Sequence, residues 1–177
     1  LKDAVRHSYT SGGRRESVAE HSWRITLMAY FVSDEFPEAD LLKIMKMCLI
    51  HDLGEAFTGD IPAFEKTDKD SEKEADVLGE WVKTLPEPFD KEMAELYQEM
   101  EEQQTLEARI YKALDKLEAL IQHNESDIKT WLPLEYDLQM TYGNEQVKCS
   151  EYLTELRAKV REDSVQKIQK KRLQKII

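Results

Sequence analysis

Residues 40–54 read DLLKIMKMCLIHDLG. Leu41, Ile44, Met45, Cys48 and Leu49 recur at helical spacing behind Asp40, so the stretch reads as an amphipathic helix that opens near Asp40 and runs to His51. Asp52 follows directly, and Leu53-Gly54 is consistent with a helix end. His51 shares the apolar face with Ile44 and Cys48, at offsets of seven and three. An imidazole aimed into a core needs a hydrogen-bond partner or a metal, because burial without either costs about 2 kcal/mol or more. The adjacent carboxylate is costlier still, and with nothing basic beside it the His51-Asp52 pair asks for a cation. Successive helical residues point about 100° apart, so the two reach one ion only where the helix ends or distorts.

The helical period continues outward in both directions. Ser17 reads as an N-cap with Glu20 completing a capping box, ahead of a helix carrying Ile25, Met28 and Val32. A charged stretch from Lys66 to Lys83 holds Ala75, Leu78, Trp81 and Val82 at helical spacing and is closed by Pro86 and Pro88. Phe89 to Glu102 reads as an acidic helix, and Leu106 to His123 as an amphipathic one with Ile110, Leu114, Leu117 and Ile121 buried. Gly54, Gly59 and Pro62 loosen the segment from Asp52 to Ala63, and Trp131 to Pro133 breaks the pattern again. A last helix, interrupted near Gly143, is expected from about Asn144, with terminal residues from about Gln166 exposed or frayed. No strict two-residue alternation extends beyond a few positions, so the expected fold is all-α, a single-domain helical bundle. Trp23, Trp81 and Trp131 are expected as core or interface anchors, and His7 and His123 as surface or structural residues.

The chain has 177 residues, with 25 Lys+Arg against 36 Asp+Glu and a formal net charge of −11. A chain of this length buries roughly 70% of its unfolded surface in a single domain. At 41% hydrophobic residues it is too apolar for disorder. The acidic balance excludes a broad basic face for long nucleic acid, but leaves room for one nucleotide held by a few local cations. Cys48 and Cys149 lie far apart and read as free thiols of a reducing compartment, so a cytoplasmic protein is expected. The apolar run around Ile25 to Val32 is too short to span a bilayer, so no membrane partner is expected.

His21 meets the same demand as His51, sharing its face with Ile25, Met28 and Val32 at offsets of four, seven and eleven. Asp115 stands among Leu114 and Leu117 on a later helix. Two neutral imidazoles and two carboxylates carry a net −2, which matches a divalent transition metal in charge and softness. His21, His51, Asp52 and Asp115 are therefore the expected ligands. Glu118, three positions beyond Asp115, reads as a solvated helix position, with a supporting contact to the ligands as the alternative.

The order His21, then His51-Asp52, then Asp115 resembles the H...HD...D signature of the HD-domain metal-dependent phosphohydrolases. The longer strings ESVAEHSW (16–23), IHDLGEAFTGDIP (50–62) and ALDKL (113–117) resemble the branch containing bacterial 5'-deoxynucleotidases and their eukaryotic relatives. The resemblance covers roughly residues 1–120 and implies an all-helical fold and a homodimer; the HD domain is expected over residues 1–165, followed by a Lys-rich helix end or tail at 166–177. It implies one divalent ion (Co, Mn, Mg, Fe, Ni or Zn), a small-molecule nucleotide substrate, and removal of phosphate from nucleoside 5'-monophosphates with preference for deoxy forms.

Residue by residue, the resemblance makes Glu55 the acid that orients or deprotonates the attacking water. Asp60 becomes a second acid near the scissile phosphate or the sugar. Arg6 matches an N-terminal arginine that contacts phosphate, with Arg14 and Arg15 as alternatives beside a helix N-terminus. Where those nucleotidases carry a tryptophan shortly after the arginine, the nearest candidate here is Tyr9. Two-metal members of the superfamily draw on extra histidines between the HD pair and the last aspartate; none stands between Asp52 and Asp115, so a one-metal site is expected. The rival readings are hydrolysis of a phosphodiester or of a nucleoside triphosphate, and a non-catalytic, metal-stapled helical module. Glu55 and Asp60 favour the enzyme.

Overall fold

The structure, a computed structural model, describes residues 1–174. The expected helical bundle is present, with one small addition at its start: β1 (Val5–Tyr9) and β2 (Arg15–Ser17) pair antiparallel, with Val5 opposite Ser17 and Tyr9 opposite Arg15. The hairpin escapes a search for apolar alternation because its buried side chains are polar. Ser8 Oγ donates to Glu16 Oε2 at 3.0 Å, and both residues are buried. Gly13, at φ +83°, occupies the turn, a backbone conformation that other L residues adopt only with strain.

Ser17 then caps α1 (Val18–Phe31) with the expected reciprocal pair: its Oγ accepts from Glu20 N at 3.3 Å and its own N–H donates to Glu20 Oε2 at 2.9 Å. Val18, His21, Ser22, Ile25 and Ala29 form the buried stripe. Asp40 caps α2 (Leu41–Ile50), accepting from Lys43 N at 3.1 Å, and Ile44, Met47 and Cys48 are its buried face. A short α3 (Glu55–Thr58) follows within the segment expected to be loop. α4 (Asp68–Val82) and α5 (Phe89–Glu102) are amphipathic covers with buried Leu78, Val82, Leu96 and Met100.

α6 (Leu106–Glu125) is buried on almost every side, from Ala108 and Ile110 through Leu114 and Leu117 to His123. It touches α1, α2, α5, the hairpin and the C-terminal helix, which makes it the axis of the bundle. Its polar positions Asp115, Glu118, Gln122 and His123 therefore face protein rather than water. The interruption expected near Gly143 is present, at φ +76°, but the last helix, α8 (Glu151–Gln174), begins later than Asn144, after a 3-10 turn at Gln146–Cys149, and an unexpected α7 (Glu135–Thr141) precedes the break. Arg157 of α8 donates from Nε to Tyr142 O and from an Nη to Gln139 O, both at 2.9 Å, satisfying carbonyls at the open end of α7.

The boundary drawn at 165/166 falls inside α8. Beyond it most residues are exposed, as expected, but the segment is helical and tied down rather than frayed: Lys167 Nζ donates to Asn124 O at 2.9 Å and Lys171 Nζ to Tyr136 Oη at 2.6 Å. Residues 175–177 lie outside the described residues. Of the tryptophans, Trp131 is a buried anchor whose Nε1 donates to His123 O, whereas Trp23 is 63% exposed.

Candidate metal centre and its cavity

α1, the end of α2 and α6 bring four expected ligands to one point. His21 is fully buried, and its Nε2 lies 3.4 Å from Asp115 Oδ1 and 3.7 Å from Asp52 Oδ2. His51 Nε2 lies 3.0 Å from Asp52 Oδ2 and 3.9 Å from Asp115 Oδ1. Adjacent His51 and Asp52 both turn inward because α2 ends at Ile50 and the chain tightens: Leu53 N donates to Ile50 O at 3.0 Å and Glu55 N to Asp52 O at 3.1 Å.

The histidine tautomers follow from their other nitrogens. His51 Nδ1 faces the Cys48 carbonyl at 2.9 Å, and His21 Nδ1 faces Glu118 Oε2. Both partners accept, so each neutral ring carries its proton on Nδ1 and turns an Nε2 lone pair to the common point. Neither buried Nε2 has a hydrogen-bond partner. Two aimed lone pairs and two carboxylates fit a divalent cation.

Without a cation His21 holds its proton tightly and the two aspartates stay ionised. Burial and Arg6 oppose a charged His21, but Glu118 and Asp115 outweigh them and raise its pKa to about 9. Burial opposes ionisation of Asp52, yet His51 and His21 hold it below the usual carboxylate range. Burial likewise opposes ionisation of Asp115, and Lys116 and Lys112 overcome it, with Nζ atoms 3.1 and 3.4 Å from Oδ2. Asp115 thus splits its two oxygens, Oδ1 to the histidines and Oδ2 to lysines.

A cavity of about 380 Å³ opens beside these residues, within the size range of small-ligand sites. Glu55, Asp60 and Arg6 line it. Burial, with Asp52, Asp60 and Glu74 nearby, pushes the Glu55 carboxyl up to about 9, and its Oε2 is buried without a hydrogen bond. Burial also raises Asp60, partly offset by Arg6. Arg6 is held by one Nη, 3.3 Å from Glu16 Oε2 and 3.4 Å from Glu118 Oε2, while its buried Nε has no hydrogen-bond partner and lies 3.9 Å from Asp60 Oδ1.

Three sequence candidates fall elsewhere. Arg14 is exposed and paired with Glu20 at the α1 cap, Arg15 is exposed beside the Tyr9 ring, and Tyr9 is half-buried with its carbonyl accepting from Gln122. None lines the cavity. Glu118 corrects the expectation of a solvated position: it is fully buried against His21, and its i+3 offset from Asp115 was the available signal. Lys112, Lys116, His7, His123 and Glu135 also line the cavity, and residue order offered no signal for them.

A helical fold that closes two histidines and two aspartates around one point is the framework of an HD domain, and residues 1–157 match the model of the HD domain family, to which this chain belongs. Among its relatives, human 5'-deoxynucleotidase HDDC2 is 32% identical over 119 residues, covering 66% of this chain and 57% of the human protein. The Dictyostelium discoideum 5'-deoxynucleotidase HDDC2 is 35% identical over 118 residues, covering 62% of each chain. The chain thus spans less than two thirds of the length of these relatives.

A predicted metal-dependent phosphohydrolase from Magnetospirillum magnetotacticum superposes with a TM-score of 0.81 at 27% identity, over 94% of this chain and 87% of its own. A conserved hypothetical protein from Pyrococcus furiosus gives 0.70 at 32% identity, over 92% and 94%. Among the described residues no helix is long and apolar enough to cross a membrane.

Proposed function

We propose that the chain is a metal-dependent phosphomonoester hydrolase that removes the 5'-phosphate from nucleoside monophosphates, deoxy forms preferred. The observation that carries this reading is the pair of buried, unpartnered Nε2 atoms of His21 and His51 facing Asp52 and Asp115 at one wall of the cavity. His21, His51, Asp52 and Asp115 would hold the ion. A divalent ion there supplies positive charge that polarises a phosphoryl oxygen and acidifies water.

The chain's own residues do the rest. Arg6 Nε, a buried donor with no acceptor, takes a phosphate oxygen, while its Nη stays on Glu16 and Glu118 to fix the guanidinium. Lys112 and Lys116, anchored on Asp115 Oδ2, add positive charge along the cavity wall. Glu55, which the charge of a bound divalent ion would return to the carboxylate form, takes the proton of the attacking water as the new phosphorus–oxygen bond forms. Asp60, its carboxyl raised by burial, returns a proton to the 5'-oxygen as that bond to phosphorus breaks. The products are a nucleoside and orthophosphate.

Apolar side chains of Phe64, Leu120 and Leu138 line the cavity and suit a nucleoside. The exposed Trp23, Tyr30 and Phe31 on α1 and Leu42 and Leu49 on α2 support a homodimer, and the two free cysteines fit a cytoplasmic protein. Purified protein loaded with Co, Mn or Mg should release orthophosphate from deoxynucleoside 5'-monophosphates. Inertness across a panel of nucleotides with all three metals would overturn the reading.

A further inference from the structure

Three further donors converge in the wall of the same cavity without sharing a residue with the first cluster. His7 comes from β1, His123 from the last turn of α6 and Glu135 from the start of α7. Glu135 Oε1 lies 2.9 Å from His7 Nε2 and 2.8 Å from His123 Nε2. The carboxylate is oriented by its other oxygen, which accepts from Leu132 N at 2.6 Å.

His123 has acceptors on both ring nitrogens. Its Nδ1 is 2.8 Å from Ala119 O and its Nε2 2.8 Å from Glu135 Oε1. A backbone carbonyl only accepts, so a neutral His123 places its one N–H on Nδ1 and turns an Nε2 lone pair against a carboxylate oxygen. Two such lone pairs repel at this distance, and either a proton or a metal ion between them relieves the contact. His7 Nε2 meets the same oxygen, and the three donor atoms all lie within 4.8 Å of one another. An imidazole oriented by a backbone carbonyl through its far nitrogen is the supporting arrangement that metal-bound histidines use.

We propose that His7, His123 and Glu135 form a second divalent-cation site, of the two-histidine, one-carboxylate kind that zinc or cobalt occupies. Bonds of about 2.0–2.2 Å set tetrahedral donors about 3.3 Å apart, so the triad opens by about 0.5 Å on loading. His7, partly exposed on a two-stranded hairpin, has the freedom to give way. Three protein donors leave a coordination position facing the cavity, where a nitrogen or oxygen donor of a bound small molecule completes the shell.

The test counts metal and does not depend on turnover. The full chain is dialysed to equilibrium against cobalt(II) or zinc(II), and bound metal is measured by atomic emission. Two equivalents are expected for the wild type, one for His51→Ala and one for Glu135→Gln. His7→Gln keeps an amide donor for Glu135 but is a poor ligand, so it should lose the same equivalent without disturbing the fold. A single equivalent in the wild type, lost in His51→Ala and kept in Glu135→Gln, overturns the proposal and makes His123 an imidazolium. Two equivalents that persist in both Glu135→Gln and His7→Gln overturn it as well.

Discussion

Glu118 Oε2 accepts the Nδ1–H of His21, although the two residues stand 97 positions apart and belong to different helices. The bond fixes the ring, sets its tautomer and leaves Nε2 for a metal. Truncating Glu118 to alanine should weaken divalent-metal affinity about 10–100-fold, the usual effect of removing such a partner. Equilibrium dialysis or calorimetric titration measures it, and an unchanged affinity would contradict the assigned role.

Ligand and proton acceptor separate by substitution. His51→Ala should abolish metal binding at this cluster and turnover together. Glu55→Gln should keep the metal and lower kcat by about 10²–10⁴-fold, the range of general-base contributions. Loss of metal in Glu55→Gln would instead place Glu55 among the ligands.

The arginines separate in the same way. Arg6→Ala removes the unpartnered Nε inside the cavity, and kcat/KM for a nucleoside monophosphate should fall about 100-fold, as for a lost charge-assisted bond of about 3 kcal/mol. Arg14→Ala and Arg15→Ala lie outside the cavity and should stay within about 2-fold of wild type. A steady-state comparison of the three variants tests whether the hairpin strand or its turn holds phosphate.

Glu99 ties α5 to α2 and to the α6 cap, accepting from Lys43 Nζ at 2.9 Å and from Thr105 Oγ1. Burial works against the charge, but the Thr105 and Lys43 bonds prevail and lower the carboxyl below its ordinary value of 4.5. A depressed folded-state pKa stabilises the protein above the unfolded value, and the contribution is lost as pH falls from 4.5 through the folded value. The wild type should therefore lose its advantage over Glu99→Gln on acidification below about pH 4.5. Parallel melting curves across pH 3–7 show it, and a constant gap would refute the linkage.

Gly54 sits between the proposed ligand Asp52 and Glu55, and a Cβ there would stand 2.6 Å from Glu74 Cγ on α4. Gly54→Ala must displace that side chain, which is bound to Lys66 at 2.6 Å, and should destabilise the protein by about 1–3 kcal/mol. Gly79, within α4, has nothing within 4 Å of a built Cβ, so Gly79→Ala should stabilise by about 0.5–1 kcal/mol. Denaturant unfolding of the pair checks both signs.

The helices, and the meeting of His21, His51, Asp52 and Asp115 that their apolar faces imply, were legible because both leave a local imprint. The Ser17 cap, the helix opening near Asp40 and its stop near His51 each span a few residues, and the structure bears them out; of the expected stripe Ile44 and Cys48 are buried, whereas Leu49 is exposed and Met47 takes the core position. The hairpin was not legible, since Arg6, Ser8 and Glu16 are buried by hydrogen bonds and ion pairs rather than by apolar alternation. Nor was α7, whose end Arg157 closes from another helix, although the break near Gly143 was.

A histidine and an aspartate on apolar faces announce a demand for charge compensation, and that demand is a property of residue type and spacing alone. Which groups answer it depends on contacts far apart in the chain. Packing around α6 buried Glu118 against His21, set Lys112 and Lys116 on Asp115, and moved Arg14 and Arg15 away from the cavity that Arg6 enters. It also joined His7 to His123 and Glu135, a meeting for which residue order carries no signal, because it arises only when a strand and two helices close on one another.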